Sequence, residues 1–378
     1  MMIYFDNAAT SGTHPDSVID GAVNCIKYLS VNPGRSAHKL SLTAEEKIYK
    51  TRKALCSLFC ADKPERVIFT KNCTEALNVA ILGTVKHGGH VIASTFEHNS
   101  VLRPLYALER KGLITLTIVK PQRGNLILAC DIERAINEKT YLVCLTAASN
   151  VTGEINDYEA IGALLHSKGI TFLLDCAQAA GHLFLDMKKQ NIDIICFSGH
   201  KGMNAIQGVG ALIFNEKTTI NPLLYGGSGS ESFAHLPSGY PELLESGTAN
   251  LPAIISLYEA CLYTTQTLKE KQKYLIKLTA RLIEGLSQIK GVKLYSMQNP
   301  IGIVSFSYKE YFSQEIAGVL SDKFDIAVRG GFHCAPLTHE FLNTKTNGLV
   351  RASLSQFNRE DEIEEFIYAM KSIQNYLF

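Results

Sequence analysis

Several features of other protein classes are missing from this sequence. Lys plus Arg number 37 against 36 for Asp plus Glu in 378 residues, and no run of like charge is long enough to act as a nucleic-acid or membrane arm. Nowhere do about 18 apolar residues follow one another, and Asp6 precedes any apolar core of a signal peptide. We therefore expect no nucleic-acid partner, no membrane contact and a cytoplasmic location, with small molecules or other proteins as partners.

The ten cysteines lack the paired spacing of a disulfide framework or a zinc site. Cys144 and Cys196 stand inside apolar runs, which is typical of reduced, buried thiols. The few neighbouring histidines and cysteines are too sparse to complete a tetrahedral ligand set. The sequence thus predicts a reducing compartment and no bound metal.

The composition and length predict a globular α/β protein. Apolar residues make up 46% and charged residues 19%, a balance that can bury a large core. From about residue 66 to residue 215, β-rich runs alternate with helical stretches, which indicates βα units feeding a mostly parallel sheet. Seven strands are predicted, at 67–70, 90–94, 114–119, 141–145, 171–174, 192–197 and 210–214. Helices are predicted near 74–87, 99–111, 130–138 and 157–168.

The pattern changes after residue 250. A long helix is predicted at about 252–289, strands at 292–295, 302–307 and 326–328, and a closing helix at about 359–376. We therefore expect a smaller C-terminal α+β domain. The predicted division is an N-terminal segment (1–15), a large domain (16–250) and a small domain (251–378). The N-terminal segment carries Asp6-Asn7-Ala8-Ala9-Thr10 and is expected to lie over another part of the structure.

Lys201 is the first candidate for chemistry. It follows the buried strand Ile192–Phe197 in the sequence Ser198-Gly199-His200-Lys201. An apolar setting disfavours the ammonium form, so that a neutral amine becomes available to bind a carbonyl covalently. The alternative is a surface lysine in a turn.

Asp175 is delivered by the C-terminal end of another apolar strand, where open α/β sheets bind their ligands. A carboxylate there could keep the ring nitrogen of a pyridoxal group protonated, and Gln178 could reach the phenolic oxygen of that ring. The alternative for Asp175 is an N-cap for the turn at 177–181.

Three more polar residues follow strands at the same predicted edge. Thr74 opens a helix, whose free N–H groups and dipole favour a phosphate, although it could be a plain N-cap. His98 could stack on a ring and shuttle protons near neutral pH, or could be a solvent-facing loop histidine. Asn150 follows the strand 141–145.

Cys334 is the one cysteine in a setting typical of a reactive thiol. It lies in Arg329-Gly330-Gly331-Phe332-His333-Cys334, where the glycines permit unusual backbone angles and we expect Arg329 and His333 to supply positive charge that favours the thiolate. Farther on, Arg351 stands inside a strand-like run, which favours a clamp on a substrate carboxylate. The alternative for Arg351 is a structural ion pair with an acid such as Glu245.

Taken together, these segments resemble the class V aminotransferases, which are fold-type I enzymes dependent on pyridoxal 5'-phosphate (PLP), and among them the cysteine desulfurases and selenocysteine lyases. The resemblance extends from Tyr4–Ala9 to Arg351–Leu354, with the motifs in the family's order. The segment 329–336 is similar to the compact cysteine loop of the SufS-like, type II group.

The resemblance implies a role for each candidate. Lys201 would bind PLP covalently, Asp175 would partner its ring nitrogen, and His98 would stack on the ring and take part in catalysis. The remaining cofactor contacts within the chain would come from Thr74, Gln178, Ser198 and His200. Arg351 would bind the substrate carboxylate with Asn150 beside it, Arg329 is expected at the same substrate site, and Cys334 would be the persulfide-forming nucleophile.

The segment Gly247–Asn250 matches one whose threonine reaches the phosphate in the neighbouring subunit, which implies a homodimer in which Thr248 completes the partner's site. The implied reaction converts L-cysteine to L-alanine and leaves a persulfide on Cys334 for a sulfur-acceptor protein, for instance in iron–sulfur cluster assembly. The alternatives are selenocysteine lysis, transamination, and a degenerate, non-catalytic partner in sulfur transfer.

Overall fold

The computed structural model describes residues 2–34, 36, 38–122, 124–229 and 231–377. The helices are α1 (Asp16–Tyr28), α2 (Lys39–Phe59), α3 (Cys73–Gly83), α4 (Asn99–Arg110), α5 (Ala129–Glu133), α6 (Tyr158–Ser167), α7 (Leu251–Ser287), α8 (Ser313–Phe324), α9 (Pro336–Phe341) and α10 (Glu360–Ser372). The strands are β1 (Ile3–Tyr4), β2 (Val67–Thr70), β3 (Gly89–Ser94), β4 (Ile114–Val119), β5 (Thr140–Thr146), β6 (Thr171–Asp175), β7 (Ile194–Ser198), β8 (Gly210–Phe214), β9 (Val292–Leu294), β10 (Ile303–Tyr308), β11 (Ile326–Ala327), β12 (Arg329–Gly331) and β13 (Leu349–Ser353).

The larger sheet has seven strands in the order β2-β8-β7-β6-β5-β3-β4. The five strands from β7 to β4 in that order are parallel, and β8 is antiparallel to both of its neighbours. Every residue of β7 and β8 is buried, as expected for strands covered on both faces. The predicted α/β class and mostly parallel seven-stranded sheet are confirmed.

The topology brings the polar segments together. Parallel strands end at the same edge of a sheet, and ligands bind at that edge. Strands β3, β5, β6 and β7 are parallel, while β2 is antiparallel to β8 and so runs in the same direction as β7. The segments that follow these five strands therefore meet at one edge.

A second sheet, in the order β12-β13-β10-β9, is antiparallel throughout. Its core includes Leu278 of α7, Phe306 of β10 and Phe366 of α10, which are all fully buried. This arrangement is the predicted α+β architecture, whereas the predicted domain boundaries at residues 15 and 250 stay a prediction.

The N-terminal segment crosses between the two sheets. β1 pairs in parallel with β11, Asn7 donates through Nδ2 to the Ser353 carbonyl at 3.0 Å, and the Ala8 carbonyl accepts from Gln178 Nε2 at 3.0 Å. The expectation that this segment lies over another part of the structure is therefore met. Within the described parts of the chain, we find no helix that combines the length and the hydropathy needed to span a membrane.

Two predicted helices are shorter than expected. α3 ends at Gly83, and the Thr84 hydroxyl then donates to the Ala80 carbonyl at 2.7 Å. α5 covers only Ala129–Glu133, because the chain continues with hydrogen bonds between residues three apart, such as Ala135 N–H to the Ile132 carbonyl. Such bonds tighten the last turn and end a helix.

Candidate active site

A cavity of about 240 Å³ lies at the carboxyl edge of the larger sheet. Its lining residues are Asn72, Cys73, Thr74, His98, Ser100, Thr146, Asn150, Asp175, Ala177, Gln178, Ser198, His200 and Lys201. Eight of the predicted site residues therefore line one cavity, and Lys201 and Asp175 are among them. The surface-turn alternative for Lys201 is wrong, because its side chain faces this enclosed space.

Lys201 is held just beyond the end of β7. Its backbone carbonyl accepts a hydrogen bond from Ser11 Oγ at 2.7 Å, which ties the lysine turn to the N-terminal segment. Burial lowers the pKa of the Lys201 amine from its usual value, against the opposing charges of Cys73 and Asp175, while the Arg351 guanidinium lowers it further. A lysine with a lowered pKa offers the free amine that covalent binding of a carbonyl requires.

Asp175 ends β6 and is only 2% exposed. Its Oδ1 accepts from the Ala177 N–H at 2.9 Å and from the Cys73 thiol at 3.5 Å. No donor among the described residues contacts Oδ2, so this oxygen is left for a ligand. Burial raises the pKa of this carboxyl, and the hydrogen bond from Ala177, the Lys201 charge and the Cys73 thiol oppose that rise. The alternative role of Asp175 as a cap of the turn at 177–181 is therefore also confirmed, because its Oδ1 accepts from the Ala177 N–H.

The residues predicted to hold a phosphate line one side of the same cavity. Ser198 Oγ accepts from the Cys73 N–H at 2.9 Å, so it joins β7 to the start of α3. His200 contacts Thr10 Oγ1 through Nδ1 at 3.0 Å. The N-cap of α3 is Asn72, whose side chain accepts from the Glu75 N–H, so the N-cap alternative for Thr74 is wrong.

His98 stands at the start of α4 as its N-cap. Its Nδ1 accepts from the Ser100 N–H at 3.0 Å and contacts Ser100 Oγ at 2.7 Å, which places the ring proton on Nε2. Burial lowers the pKa of His98 to about 4, and the nearby Lys201, Arg329, Arg103 and Arg351 charges add to this shift. The ring is therefore neutral at physiological pH, unlike the imidazole titrating near neutrality that the sequence suggested.

The Cys334 loop is hydrogen-bonded to two segments beside the cavity, at Asn99 and at Asn150. The Cys334 carbonyl accepts from the Asn99 N–H at 2.8 Å, immediately after His98. The His333 carbonyl accepts from Asn150 Nδ2 at 2.7 Å. Cys334 is exposed, and the backbone is left-handed at both positions, with φ of +50° at His333 and +56° at Cys334. The loop that carries the exposed thiol is thus bonded to two elements that also line the cavity.

His333 does not supply the positive charge expected from the sequence. Its side chain is 3% exposed, and burial together with the Arg351 charge holds the pKa of the imidazole well below its usual value. The cations beside the loop are instead the two arginines, Arg329 and Arg351, which are directly paired across strands β12 and β13.

Arg351 is buried, with 1% exposure. Its Nη2 donates to Asp6 Oδ1 at 3.0 Å and its Nη1 to the Asn150 carbonyl at 2.9 Å. Its Nε is buried without a partner within the described residues, which leaves an N–H for a ligand. The alternative of a structural ion pair is therefore met, but its acid is Asp6 and not Glu245, which binds Arg52 at 2.7 Å.

Thr248 lies outside the cavity that contains Lys201. It is exposed and lines a separate cavity of about 570 Å³, bordered by Arg52, Glu245 and Asn250. The Lys201 cavity in the same chain does not include it.

Sequence reasoning missed three groups at the site. Cys73 was assigned no role, yet its thiol contacts Asp175. Asp6 was assigned no role, yet it pairs with Arg351. Ser100 was overlooked, although a hydroxyl two residues after a histidine at a helix start could have indicated the contact with His98.

Comparison with known proteins agrees with this geometry. The chain belongs to the class-V aminotransferase family, whose model matches residues 3–366. It is 34% identical to a probable cysteine desulfurase of Pyrococcus abyssi over 385 residues, covering 98% of this chain and 94% of the relative. It is 32% identical to a probable cysteine desulfurase of Methanothermobacter thermautotrophicus over 372 residues, covering 96% and 92%.

Among solved structures, the apo structure of a cysteine desulfurase from Thermococcus onnurineus NA1 superposes with a TM-score of 0.91 at 31% identity, covering 100% of this chain and 95% of that one. The resemblance to the cysteine desulfurases is confirmed. Assignment to the SufS-like, type II group stays a prediction.

Proposed function

We propose that this protein is a PLP-dependent cysteine desulfurase that converts L-cysteine to L-alanine and receives the sulfur on Cys334. One observation carries the proposal: a loop bearing an exposed cysteine is hydrogen-bonded beside His98, which shares a cavity with Lys201 and Asp175. A carbonyl-binding amine, a buried carboxylate and a nucleophilic thiol are the three groups that removal of sulfur from cysteine requires.

The residues of the cavity fit PLP. Asp175 has one oxygen occupied and one free, which suits a single ring N–H. The Lys201 amine has a lowered pKa, and the hydroxyls of Thr74 and Ser198 lie near the start of a helix of 11 residues, where an anion is favoured. Gln178 and His98 would contact the ring. When bound, PLP supplies an aldehyde for the lysine and a protonated ring that accepts electrons.

Two arginines, Arg351 and Arg329, would bind the substrate. Arg351 is held between Asp6 and the Asn150 carbonyl, and its unpartnered Nε is available to the carboxylate of the amino acid. Arg329 lies beside it and adds positive charge. Such a fixed guanidinium orients the substrate, so that the α-hydrogen is presented to the Lys201 amine and the sulfur to the loop.

The chain's own proton and sulfur steps follow from this placement. The Lys201 amine takes the α-proton, because it lines the cavity and burial lowers its pKa, so that a free amine is available as a base. The Cys334 thiolate attacks the substrate sulfur. The sulfur–sulfur bond forms as the carbon–sulfur bond breaks, and the electron pair of the broken bond stays on the β-carbon of the substrate. One proton then adds to the β-carbon, and Lys201 returns its proton to the α-carbon, which completes alanine.

The family resemblance is the basis for the assembly and the location that we propose for this protein. We infer a homodimer in which Thr248 completes the partner's cofactor site, and a sulfur-acceptor protein that removes the persulfide. All ten cysteines are free thiols in the structure, which supports a reducing, cytoplasmic setting.

The test uses the purified protein loaded with PLP, its Cys334→Ser variant and, as a matched control, Cys130→Ser at another exposed cysteine. Wild type and C130S should produce equal amounts of alanine and sulfane sulfur from L-cysteine, while C334S loses at least about 100-fold in rate, or about 2.7 kcal/mol. Full activity of C334S would remove the sulfur assignment. Activity of C334S on selenocysteine alone would favour a selenocysteine lyase, and a keto-acid product a transaminase.

A further inference from the structure

Two buried imidazoles lie behind the Cys334 loop. His333 and His339 are 3% and 1% exposed. Their rings are joined from His333 Nδ1 to His339 Nε2 at 3.3 Å, and His339 Nδ1 contacts Thr344 Oγ1 at 2.8 Å. On its far side, His333 Nε2 contacts the Arg329 carbonyl at 3.3 Å. None of these side-chain contacts has a part in the function proposed above.

The hydrogen bonds fix which nitrogen of each ring carries the proton. A carbonyl can only accept, so His333 Nε2 must donate to Arg329, which leaves its Nδ1 as an acceptor. His339 Nε2 must then donate to that nitrogen, so His339 Nδ1 accepts from the Thr344 hydroxyl. The result is one directed chain from Thr344 through both histidines to the backbone of β12. Both rings are neutral in it, as burial lowers the pKa of His339 to about 4 and that of His333 well below its usual value.

The helix that carries His339 is fixed to the segment that precedes His98. It lies on α9, where its neighbour Thr338 donates to the Thr95 carbonyl at 3.1 Å. Two residues farther on, the Phe341 ring packs edge-on against Phe96 at 5.6 Å. Thr95 and Phe96 stand three and two residues before His98 in the chain. The segment 95–98 therefore fixes the position of α9 and also places the His98 ring in the cavity.

The loop needs such a support, because its backbone is unfavourable by itself. His333 and Cys334 are consecutive non-glycine residues with left-handed φ angles, and such conformations persist only where surrounding contacts impose them. The backbone bonds from Asn150 and Asn99 hold the two carbonyls. Among the described residues, the bond from His339 is the side-chain hydrogen bond that holds His333 from the side of α9.

We propose that His339 is a positioning residue for the sulfur-accepting thiol: through His333, it holds the Cys334 loop in register with the cofactor cavity. The inference rests on the proposed function for its catalytic consequence, but the loop contact itself is independent of it. Within the part of the chain that the structure describes, His339 does not line the cavity, and its side-chain hydrogen bonds go to His333 and Thr344. Its removal should therefore affect the step that uses Cys334 and leave the steps at Lys201 intact.

The experiment compares His339→Leu, which removes both ring nitrogens, with His339→Gln, whose amide can still donate to His333. Thr344→Val, which loses the hydroxyl but keeps the shape, is a second variant in case the leucine variant folds poorly. Each PLP-loaded protein is assayed for alanine formation from L-cysteine and, separately, for exchange of the α-proton of L-alanine in D₂O, which needs no thiol. Hydrogen exchange of the 329–344 peptide is measured by mass spectrometry.

We expect His339→Leu to lower kcat for desulfuration about tenfold with KM within about twofold, and Thr344→Val to lower it by a smaller factor. Exchange of the alanine α-proton should remain at the wild-type rate, amides of the 329–344 peptide should exchange faster, and His339→Gln should recover most of kcat. An equal loss in both reactions would show a general structural defect and overturn the proposal, as would unchanged kcat and unchanged hydrogen exchange. If wild type itself does not desulfurate cysteine, the proposed function fails, while the hydrogen-exchange comparison still decides whether His339 holds the loop.

Discussion

Asp6 Oδ1 accepts a hydrogen bond from Arg351 Nη2 at 3.0 Å across a sequence separation of 345 residues. Burial lowers the pKa of the Arg351 guanidinium, and the Asp6 carboxylate opposes that shift. It also fixes the plane of the group, because the Asn150 carbonyl holds the opposite nitrogen. The first residues of the chain therefore orient the residue that we propose binds the substrate carboxylate.

This relationship predicts a marked effect of Arg351→Lys. A lysine ammonium cannot satisfy Asp6, the Asn150 carbonyl and both oxygens of a carboxylate in one geometry. We expect KM for L-cysteine to rise about tenfold or more, or about 1.4 kcal/mol, in steady-state assays of the PLP-loaded enzyme. Arg359→Lys is the control, because Arg359 is an exposed partner of Asp361. A KM within twofold of wild type would argue against a carboxylate role for Arg351.

Asp175→Asn should separate cofactor binding from cofactor function. Asparagine keeps an oxygen for the Ala177 N–H but has no charge to retain a proton on the ring nitrogen. The variant should still bind PLP by absorbance, while kcat falls at least about 100-fold. Asp16→Asn, at the exposed start of α1, should behave as wild type. Near-normal turnover by Asp175→Asn would mean that another group partners the ring.

The position of Thr248 leads to a mixing experiment. If Thr248 completes the site of the partner subunit, then Lys201→Ala and Thr248→Ala homodimers are each defective. A hybrid of the two contains one site with a native lysine from one chain and a native threonine from the other. Co-expression with two different tags should therefore recover more activity than either parent. If the hybrid is no more active than the Thr248→Ala parent, the two residues do not share a site across the interface.

Glu97 predicts a pH dependence of stability. It is 0% exposed, and its Oε1 accepts from Ser94 Oγ at 2.5 Å and the Thr146 N–H at 3.1 Å, while Oε2 has no partner within the described residues. Burial raises the pKa of Glu97 from 4.5 to about 8. The folded state therefore holds a proton that the unfolded state releases above pH 4.5, so this contribution is present at low pH and is lost as the pH rises toward 8.

Glu97→Gln should remove that dependence, because the amide stays neutral and its oxygen can still accept from Thr146. Between pH 6.5 and 8, the free energy of unfolding of the glutamine variant should rise relative to wild type by about 1–2 kcal/mol. Urea titrations at several pH values measure this difference. A constant difference between the two proteins over that interval would show that Glu97 is already ionised in the folded state.

The strands of the larger sheet along the chain, and the polar residues that follow them, could be predicted from the sequence. Apolar runs with the helical stretches between them indicate parallel strands, and such strands bring their carboxyl ends to one edge. For this reason Asp175, after β6, and Lys201, after β7, could be assigned to one site before any coordinates. The collinear resemblance added the role of each residue.

Only the tertiary structure determined the protonation state and the hydrogen-bond partners of those groups. The Cys73 thiol on Asp175, the Asp6 carboxylate on Arg351 and the His339 ring behind His333 join residues that lie on different elements or far apart in the chain. Their proximity depends on the path of the whole chain, which local patterns do not encode. Protonation depends in turn on burial, so His333 looked like a cation in the sequence and is a neutral hydrogen-bonding link in the fold.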